Sequence, residues 1–469
     1  MRCWPLITFL FCFSVLSAQN KPLLYNVDDL PQSLLLNPGA QIDFIGHVGL
    51  PFFSQIHLSA GTSGVSLHDI FKNDGTNINT RIRAAMHSMT SYDHFTANEQ
   101  VEIISLGWQL DKRNYLSTGI YQELDFFSYF PKDLAILVNE GNANYINDVF
   151  DFSQAAFTGE IMTVYHLGLN HRFDKRLTVG VRGKLYSGIF NAESTGNTGT
   201  FTTVTTPQGP NKYRHTVENM NVRVNTSGFA SLNEEEGMTV EEGTAELLKR
   251  SFFGGNIGVG MDLGLSYLVN EQFVATASVQ DIGVMFQRED VENYHYYGSY
   301  QTDGLEPLFP ELDETGRAIP YWDEFEDEVD KNLIDRTYNT PYVTWRPAKF
   351  NLAIEYGFGQ AFLPCNYLTV NKVRYMNQIG MNLAGVLRPR GFVYAFTTYW
   401  DKKLTEKQRF RIAHTLDDYS LANIGLMYSI TFNKFNLYLA ANNLLGFRNL
   451  AKARSTSVQL GMQMVFKDL

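Results

Sequence analysis

Cysteine is nearly absent from this 469-residue chain, which holds only Cys3, Cys12 and Cys365. The first two fall in a stretch laid out like a removable export signal, leaving one thiol in the mature chain. That excludes an internal disulfide framework and a thiolate metal site. Basic residues are also scarce, 38 against 49 acidic, for a net charge of −11. Such a balance does not displace counterions from phosphates, so nucleic acid is excluded as a partner. Proline is low at 15, while Phe reaches 34, Tyr 25 and Gly 37, the reverse of a disordered or collagen-like bias. Beyond the N-terminus no segment approaches the ~20 consecutive apolar residues of a membrane-spanning helix.

The N-terminal stretch has Arg2 near its start, an apolar run over 6–16 and small residues at Ser17 and Ala18, so residues 1–18 read as a secretory signal peptide. Cys12 lies inside the apolar run rather than at its small-residue end, which argues against a lipid anchor there.

What the rest of the chain has is alternation. From Asn256 to Leu268 the odd positions are Ile257, Val259, Met261, Leu263, Leu265 and Tyr267, and the even ones include Gly258, Gly260, Asp262, Gly264 and Ser266. Residues 177–185 and 421–432 repeat the pattern, and a side-chain period of two means extended strands with one apolar face. A soluble sandwich also alternates. Two features favour a membrane barrel: the runs last about 10–13 residues, as a tilted bilayer-crossing strand needs, and short turns alternate with long connections. The short turns are 111–114, 173–176, 270–271, 401–406 and 433–434; the long connections are 62–98, 126–160, 188–255 and 283–347, assigned to the extracellular side. The expected fold is therefore all-β, a single transmembrane antiparallel barrel of about fourteen strands over 53–469 in the bacterial outer membrane. Residues 19–52 are expected to form a plug in the lumen or a clasp on the rim, being too apolar for a free tail.

The final strand carries a local signal. Gln459, Gly461, Met464 and Phe466 follow a spacing that resembles the one by which bacterial barrels engage their insertion machinery, and Val458, Leu460, Met462, Met464 and Phe466 share one lipid-facing side. By strand phase, Glu123, Arg182, Lys184, Asp262 and Glu355 point into the lumen, with Tyr115, Tyr121, Gln109 and Gln280. Charge at bilayer depth is costly unless it faces a polar interior, so these residues either form a salt-bridge network that fills the barrel or line a passage.

Between Asp303 and Asp335, twelve acidic residues stand against Arg317 and Lys331. The Asp-x-Asp-x-Asp-Gly spacing of a dedicated Ca²⁺ loop is missing, so the segment reads as solvated acidic surface. No nucleophile elbow, Walker loop, zinc-protease or dinucleotide motif is present, and no cofactor or metal site is expected. His166 with Asp151, and His295 with Asp290, are the pairs a hydrolase would require.

Leu36-Asn37-Pro38-Gly39-Ala40, Gly49-Leu50-Pro51, Asp69-Ile70, Pro131-Lys132-Asp133-Leu134 and Asn139-Glu140-Gly141-Asn142 together resemble an uncharacterised, domain-of-unknown-function family of Bacteroidota outer-membrane barrels. The Asn-Pro-x-Ala element is also similar to barrels associated with type IX secretion and gliding. The N-terminal segment further resembles the hatch of fourteen-stranded transporters of hydrophobic substrates. These resemblances imply an outer-membrane barrel and supply no catalytic residues. Three functions stay open: a non-enzymatic envelope scaffold with a protein partner on its extracellular loops, possible links to secretion included; a channel for a small hydrophobic or polar solute; and an outer-membrane hydrolase. The expected partners are outer-membrane lipid, the insertion machinery and that loop-bound protein.

Overall fold

The computed structural model describes residues 21–206, 211–232, 240–303, 321–362 and 374–467. The expected signal peptide, Cys365 and the 304–320 part of the acidic window lie outside them.

Fourteen antiparallel strands close into one barrel. The first, β1, comprises Gly46–Gly49 and Gln55–Thr62; β2 is His94–Gln109, β3 Asn114–Tyr129, β4 Phe157–Arg172, β5 Leu177–Ser194, β6 Asn256–Leu268 and β7 Phe273–Gln287. Next, β8 comprises Tyr342–Trp345 and Lys349–Phe362, followed by β9 Arg374–Arg388, β10 Gly391–Thr405, β11 Gln408–Leu416, β12 Asn423–Phe432, β13 Phe435–Asn442 and β14 Ser455–Phe466. Each pairs with its neighbour in the chain, and β14 pairs back with β1 from Gly46 opposite Phe466 to Gly61 opposite Ser455. Closure leaves no edge, the condition for a sheet to sit in lipid.

The direction of the faces separates a barrel from a sandwich. In β6, Ile257 is 46% exposed and Leu263 42%, while Asp262 between them is fully buried. Apolar side chains thus point outward and polar ones inward, the arrangement a hydrocarbon solvent selects. Among the described residues no helix is long and apolar enough to cross a membrane.

At one end the connections are tight. Asp111 Oδ1 accepts from the amides of Arg113 and Asn114, Asp174 Oδ1 from Arg176 and Leu177, and Asn270 Oδ1 from Gln272 and Phe273, at 2.6–2.9 Å. One short polar side chain at the first turn position satisfies two amides that the ladder leaves free.

At the other end the long connections are structured, and the strands outrun the lengths expected from their apolar runs. Thr198–Thr205, Tyr213–Ser227, Val291–Thr302 and Leu333–Tyr338 pair in sequence, with Val149–Asp151 on the first. This sheet joins the barrel where Ser227 pairs with Asn191 of β5. Ser66 caps the helix Leu67–Phe71 and Asp69 returns a bond to the Ser66 amide, a capping box that starts the first connection. Helix Ile78–Ser88 follows in the same connection, and Lys132–Glu140 and Val240–Lys249 lie in the second and third.

The barrel begins at Gly46, earlier than the boundary expected at residue 52. The cause of the difference is Pro51, which has no N–H for the ladder. The chain bulges over 50–54 with Phe52 at φ +63°, and pairing resumes at Gln55. Ser54 is folded into the lumen, where its hydroxyl donates to Glu102 at 2.8 Å. Gly461 of β14 stands opposite, and a Cβ there would overlap the Ser54 carbonyl.

Candidate functional site: the filled lumen

Residues 21–45 run through the interior of the barrel. Leu23, Leu24, Tyr25, Val27, Leu30 and Leu36 pack against Ala353, Ala413, Met427, Tyr438 and Ala440 on the inner wall, and Leu34, Ala40, Ile42 and Phe44 against Tyr115 and Val465. The small inward side chains on β8, β11 and β13 leave the space that the leucines take.

Backbone polar groups of this segment are met by inward side chains from many strands. Asn170 of β4 donates to the carbonyls of Pro38 and Ala40 at 2.7 and 2.9 Å. Ser266 of β6 donates to the Gly39 carbonyl at 2.8 Å, and Ser278 and Gln280 of β7 donate to that of Leu36. Arg411 of β11 donates to the Tyr25 carbonyl at 2.6 Å, and Gln32 reaches Gln463 of β14. A segment held from β4 round to β14 is a plug within the wall, whereas a rim clasp would touch one end only.

The apex Asn37-Pro38-Gly39 lies on bare backbone. A Cβ on Gly180 would overlap the Pro38 carbonyl, one on Gly264 the Asn37 side-chain oxygen, and one on Gly39 the Gly264 carbonyl. The polar-face glycines of β5 and β6 therefore make room for the plug.

The inward charges form two networks. In the first, Asp262 holds Arg182 at 3.0 Å and Lys184 at 2.9 Å, and Lys184 reaches Asp281 at 2.6 Å. Asp281 holds Lys349 at 2.9 Å, Lys349 holds Glu123 at 2.9 Å, and Glu123 holds Arg346 at 3.2 Å, which also pairs with Glu160. Four carboxylates alternate with four cations, so the set is electrically neutral. Arg182 ties it to the plug through the carbonyls of Leu34 and Leu35. In the second network Arg409 pairs with Asp28 at 2.6 Å, Asp29 at 2.5 Å and Asp401 at 3.2 Å. Arg411 pairs with Asp401 at 2.8 Å and lies 4.0 Å from Glu355, which also accepts from the Tyr399 hydroxyl at 2.6 Å. Two carboxylates here belong to the plug, so the network locks it to the wall.

Of the five residues selected by strand phase, Glu123, Arg182, Lys184 and Asp262 meet in the first network and Glu355 sits in the second. Asp281, Glu160, Arg346, Lys349, Asp401, Arg409 and Arg411 escaped selection. Asp281 has φ +58° at a register shift between β6 and β7, which hides its phase, and Arg346 lies between the two pieces of β8. Arg409 and Arg411 share a face of β11 and were available to the same argument.

The hydrolase pairs do not assemble. Both ring nitrogens of His166 are buried with no hydrogen-bond partner among the described residues, and Asp151 accepts from the Ser153 amide. His295 bonds Asn221, while Asp290 takes Ser231 and Arg250. Among the described residues no group of three ligating side chains is set for a metal. At the last strand, Gln459 and Gln463 are buried inward and Phe466 faces outward with the Lys434 ammonium 5.2 Å from its ring.

Wall and lumen together define a transmembrane β-barrel of the outer-membrane type with an internal N-terminal plug. The chain belongs to a family of unknown function, DUF5723, whose model matches residues 38–442. Among curated proteins nothing matches it. Among solved structures it is similar to the toluene transporter TbuX of Ralstonia pickettii, at 10% identity over 94% of both chains with a TM-score of 0.39. It is likewise similar to a Pseudomonas aeruginosa FadL homologue, at 9% identity over 94% of both chains with a TM-score of 0.41. The toluene transporter TodX of P. putida matches at 10% identity over 93% of this chain and 95% of that one, with a TM-score of 0.38.

Proposed function

We propose that this protein is an exported, non-enzymatic scaffold of the bacterial outer membrane, whose long-loop end faces outward and binds a protein partner. One observation carries the reading. Among the described residues, 21–45 occupy the lumen and are bonded to strands around its circumference, standing where a solute would have to pass. What remains to act on the surroundings is the sheet and helices of the long connections. Residues 1–18 would direct export, and Gln459, Gly461, Met464 and Phe466 would present the last strand to the insertion machinery.

A second reading, a channel opened by moving the plug, is favoured by a polar chamber of about 60 Å³ lined by Lys21, His57, Glu123, Lys184, Asp281 and Lys349. The test pairs two measurements: uptake of sugars and amino acids into proteoliposomes holding the full chain, and crosslinking from the helix Ile78–Ser88 on intact cells. The scaffold predicts no uptake and a discrete crosslinked partner. Uptake above empty liposomes would overturn it in favour of the channel.

A further inference from the structure

The outer face of the wall has a polar gap near the end that carries the long connections. Along β6, Ile257 stands ten residues from Tyr267, ~25 Å along the membrane normal at about 3.3 Å per residue and a tilt of about 40°. The row through Ile257 is therefore the far boundary of the apolar band, which is ~25 Å tall in such barrels. In that row Ile257 pairs with Phe286 of β7, and Arg288 just beyond holds its guanidinium 5.6 Å from the Phe286 ring, as a cation at headgroup depth does. On the other side β5 and β4 present Ser187, opposite Ile257, and Thr163, opposite Ser187. Two hydroxyls stand where the neighbouring strands have apolar groups.

The third long connection covers them. Ser187 and Thr163 alternate with the inward residues of their strands, yet both are buried, because the turn Arg250–Gly254 lies over the outer face. The backbone of this turn is bonded to the wall. Ser187 donates to the Arg250 carbonyl and accepts from the Phe253 amide at 2.8 Å, and Tyr165 donates to the Ser251 carbonyl at 2.8 Å. Meeting such groups within the protein is the condition for backbone to enter hydrocarbon. Arg250, the charge within the turn, is paired with Glu246 at 3.1 Å and Asp290 at 3.0 Å.

What the turn presents is apolar. Phe253 holds φ +64°, which an aromatic residue rarely adopts, and its ring stacks on that of Tyr165 with centroids 4.5 Å apart. Tyr165 pairs with lipid-facing Leu185, one row inside the boundary. Phe252 is 65% exposed, and Leu248, at the end of the preceding helix, 57%. The patch is thus continuous with the lipid-facing wall, at the depth where the aromatic residues of membrane barrels gather.

We propose that Leu248, Phe252 and Phe253 form an interfacial anchor. They insert among lipid acyl chains at the boundary of the hydrocarbon, complete the apolar ring over Ser187 and Thr163, and pin the third long connection to the membrane. Strands Thr198–Thr205 and Tyr213–Ser227 belong to the same connection, so the anchor also sets the height of their sheet above the bilayer. It is independent of whether the barrel acts as scaffold or channel.

The test places one nitroxide on the full chain, carrying Cys3→Ser, Cys12→Ser and Cys365→Ser, in vesicles of equal parts phosphatidylethanolamine and phosphatidylglycerol. The label sits at Phe252→Cys, with Leu185→Cys as the lipid-facing reference and Val138→Cys, exposed on helix Lys132–Glu140, as the aqueous one. Spin relaxation is read with dissolved oxygen, which concentrates in hydrocarbon, and with a water-soluble nickel chelate. Nickel relaxation is expected at 138 and lost at 252, as at 185, with oxygen relaxation retained. Nickel relaxation at 252 equal to that at 138 overturns the proposal. Loss of both signals at 252 also overturns it, since protein rather than lipid would then cover the turn. Should Phe252→Cys fail to give the heat-modifiable form, Leu248→Cys takes its place and is read in the same way.

Discussion

Substituting Gly180 by valine tests how the plug is seated. The side chain would project into the Pro38 carbonyl, where the apex of the plug rests on β5. Displacing the apex breaks the Asn170 bonds to Pro38 and Ala40, the Ser266 bond to Gly39 and the Asn37 bond to the Leu265 carbonyl. At about 1 kcal/mol net each, those four bonds sum to about 4 kcal/mol. Overpacking adds ~1–3 kcal/mol if the apex stays in place instead. Release is thus opposed by an energy similar to the strain that drives it, and the variant should populate a state with the apex lifted. Gly183, three residues on, faces outward with nothing near its would-be Cβ, so Gly183→Val is the control. Planar-bilayer recordings, with protease digestion of the segment before Gly46, should show intermittent conductance and cleavage for Gly180→Val and neither for Gly183→Val. Equal silence and equal protection in both variants would refute the apex contact.

Asp262→Asn leaves Arg182 and Lys184 buried with a partner lost, and should lower the temperature of heat-modified migration by an amount matching ~3–5 kcal/mol. Arg214→Ala, which breaks a solvent-screened pair with Asp303, should leave that temperature nearly unchanged. The Ser66 amide and hydroxyl hold the Asp69 carboxyl below its ordinary 3.8, so its contribution is present above that pH and lost as pH falls through its lowered value. Hydrogen exchange of residues 66–71 should therefore quicken only in strong acid, and Ser66→Ala should remove the dependence. Deleting residues 455–467 should abolish outer-membrane assembly, since β1 then has no strand to close against; a folded, heat-modifiable product would contradict the seam.

The wall was legible because lipid imposes a period of two. Ile257 through Tyr267 show it without interruption, and the strand number followed from counting such runs. Where lipid is absent the signal fades: Thr198–Thr205 and Tyr213–Ser227 are rich in Thr and Asn on both faces, so nothing marked them as strands. Residues 21–45 could be recognised as too apolar for solvent, yet their path depends on Gly180, Gly264 and Ala413, more than a hundred residues away. Phase selected Arg182 and Asp262 as inward, but pairing them required the register between β5 and β6. Asp281 was lost because a positive φ shifts the local phase.

The plug is made before every strand of the barrel and is the last part able to reach its place. Gln32 meets Gln463 across 431 residues and Asp28 meets Arg409 across 381, so its native contacts do not exist until the C-terminal strands are present. Such separations make for slow ordering of the chain. Because residue 45 leads directly into β1, whose partner is β14, the segment must be inside the curling sheet when the seam between these strands zips. Assembly is thus a race between threading and closure, and a chain that closes first would leave its N-terminal leucines stranded on the outside.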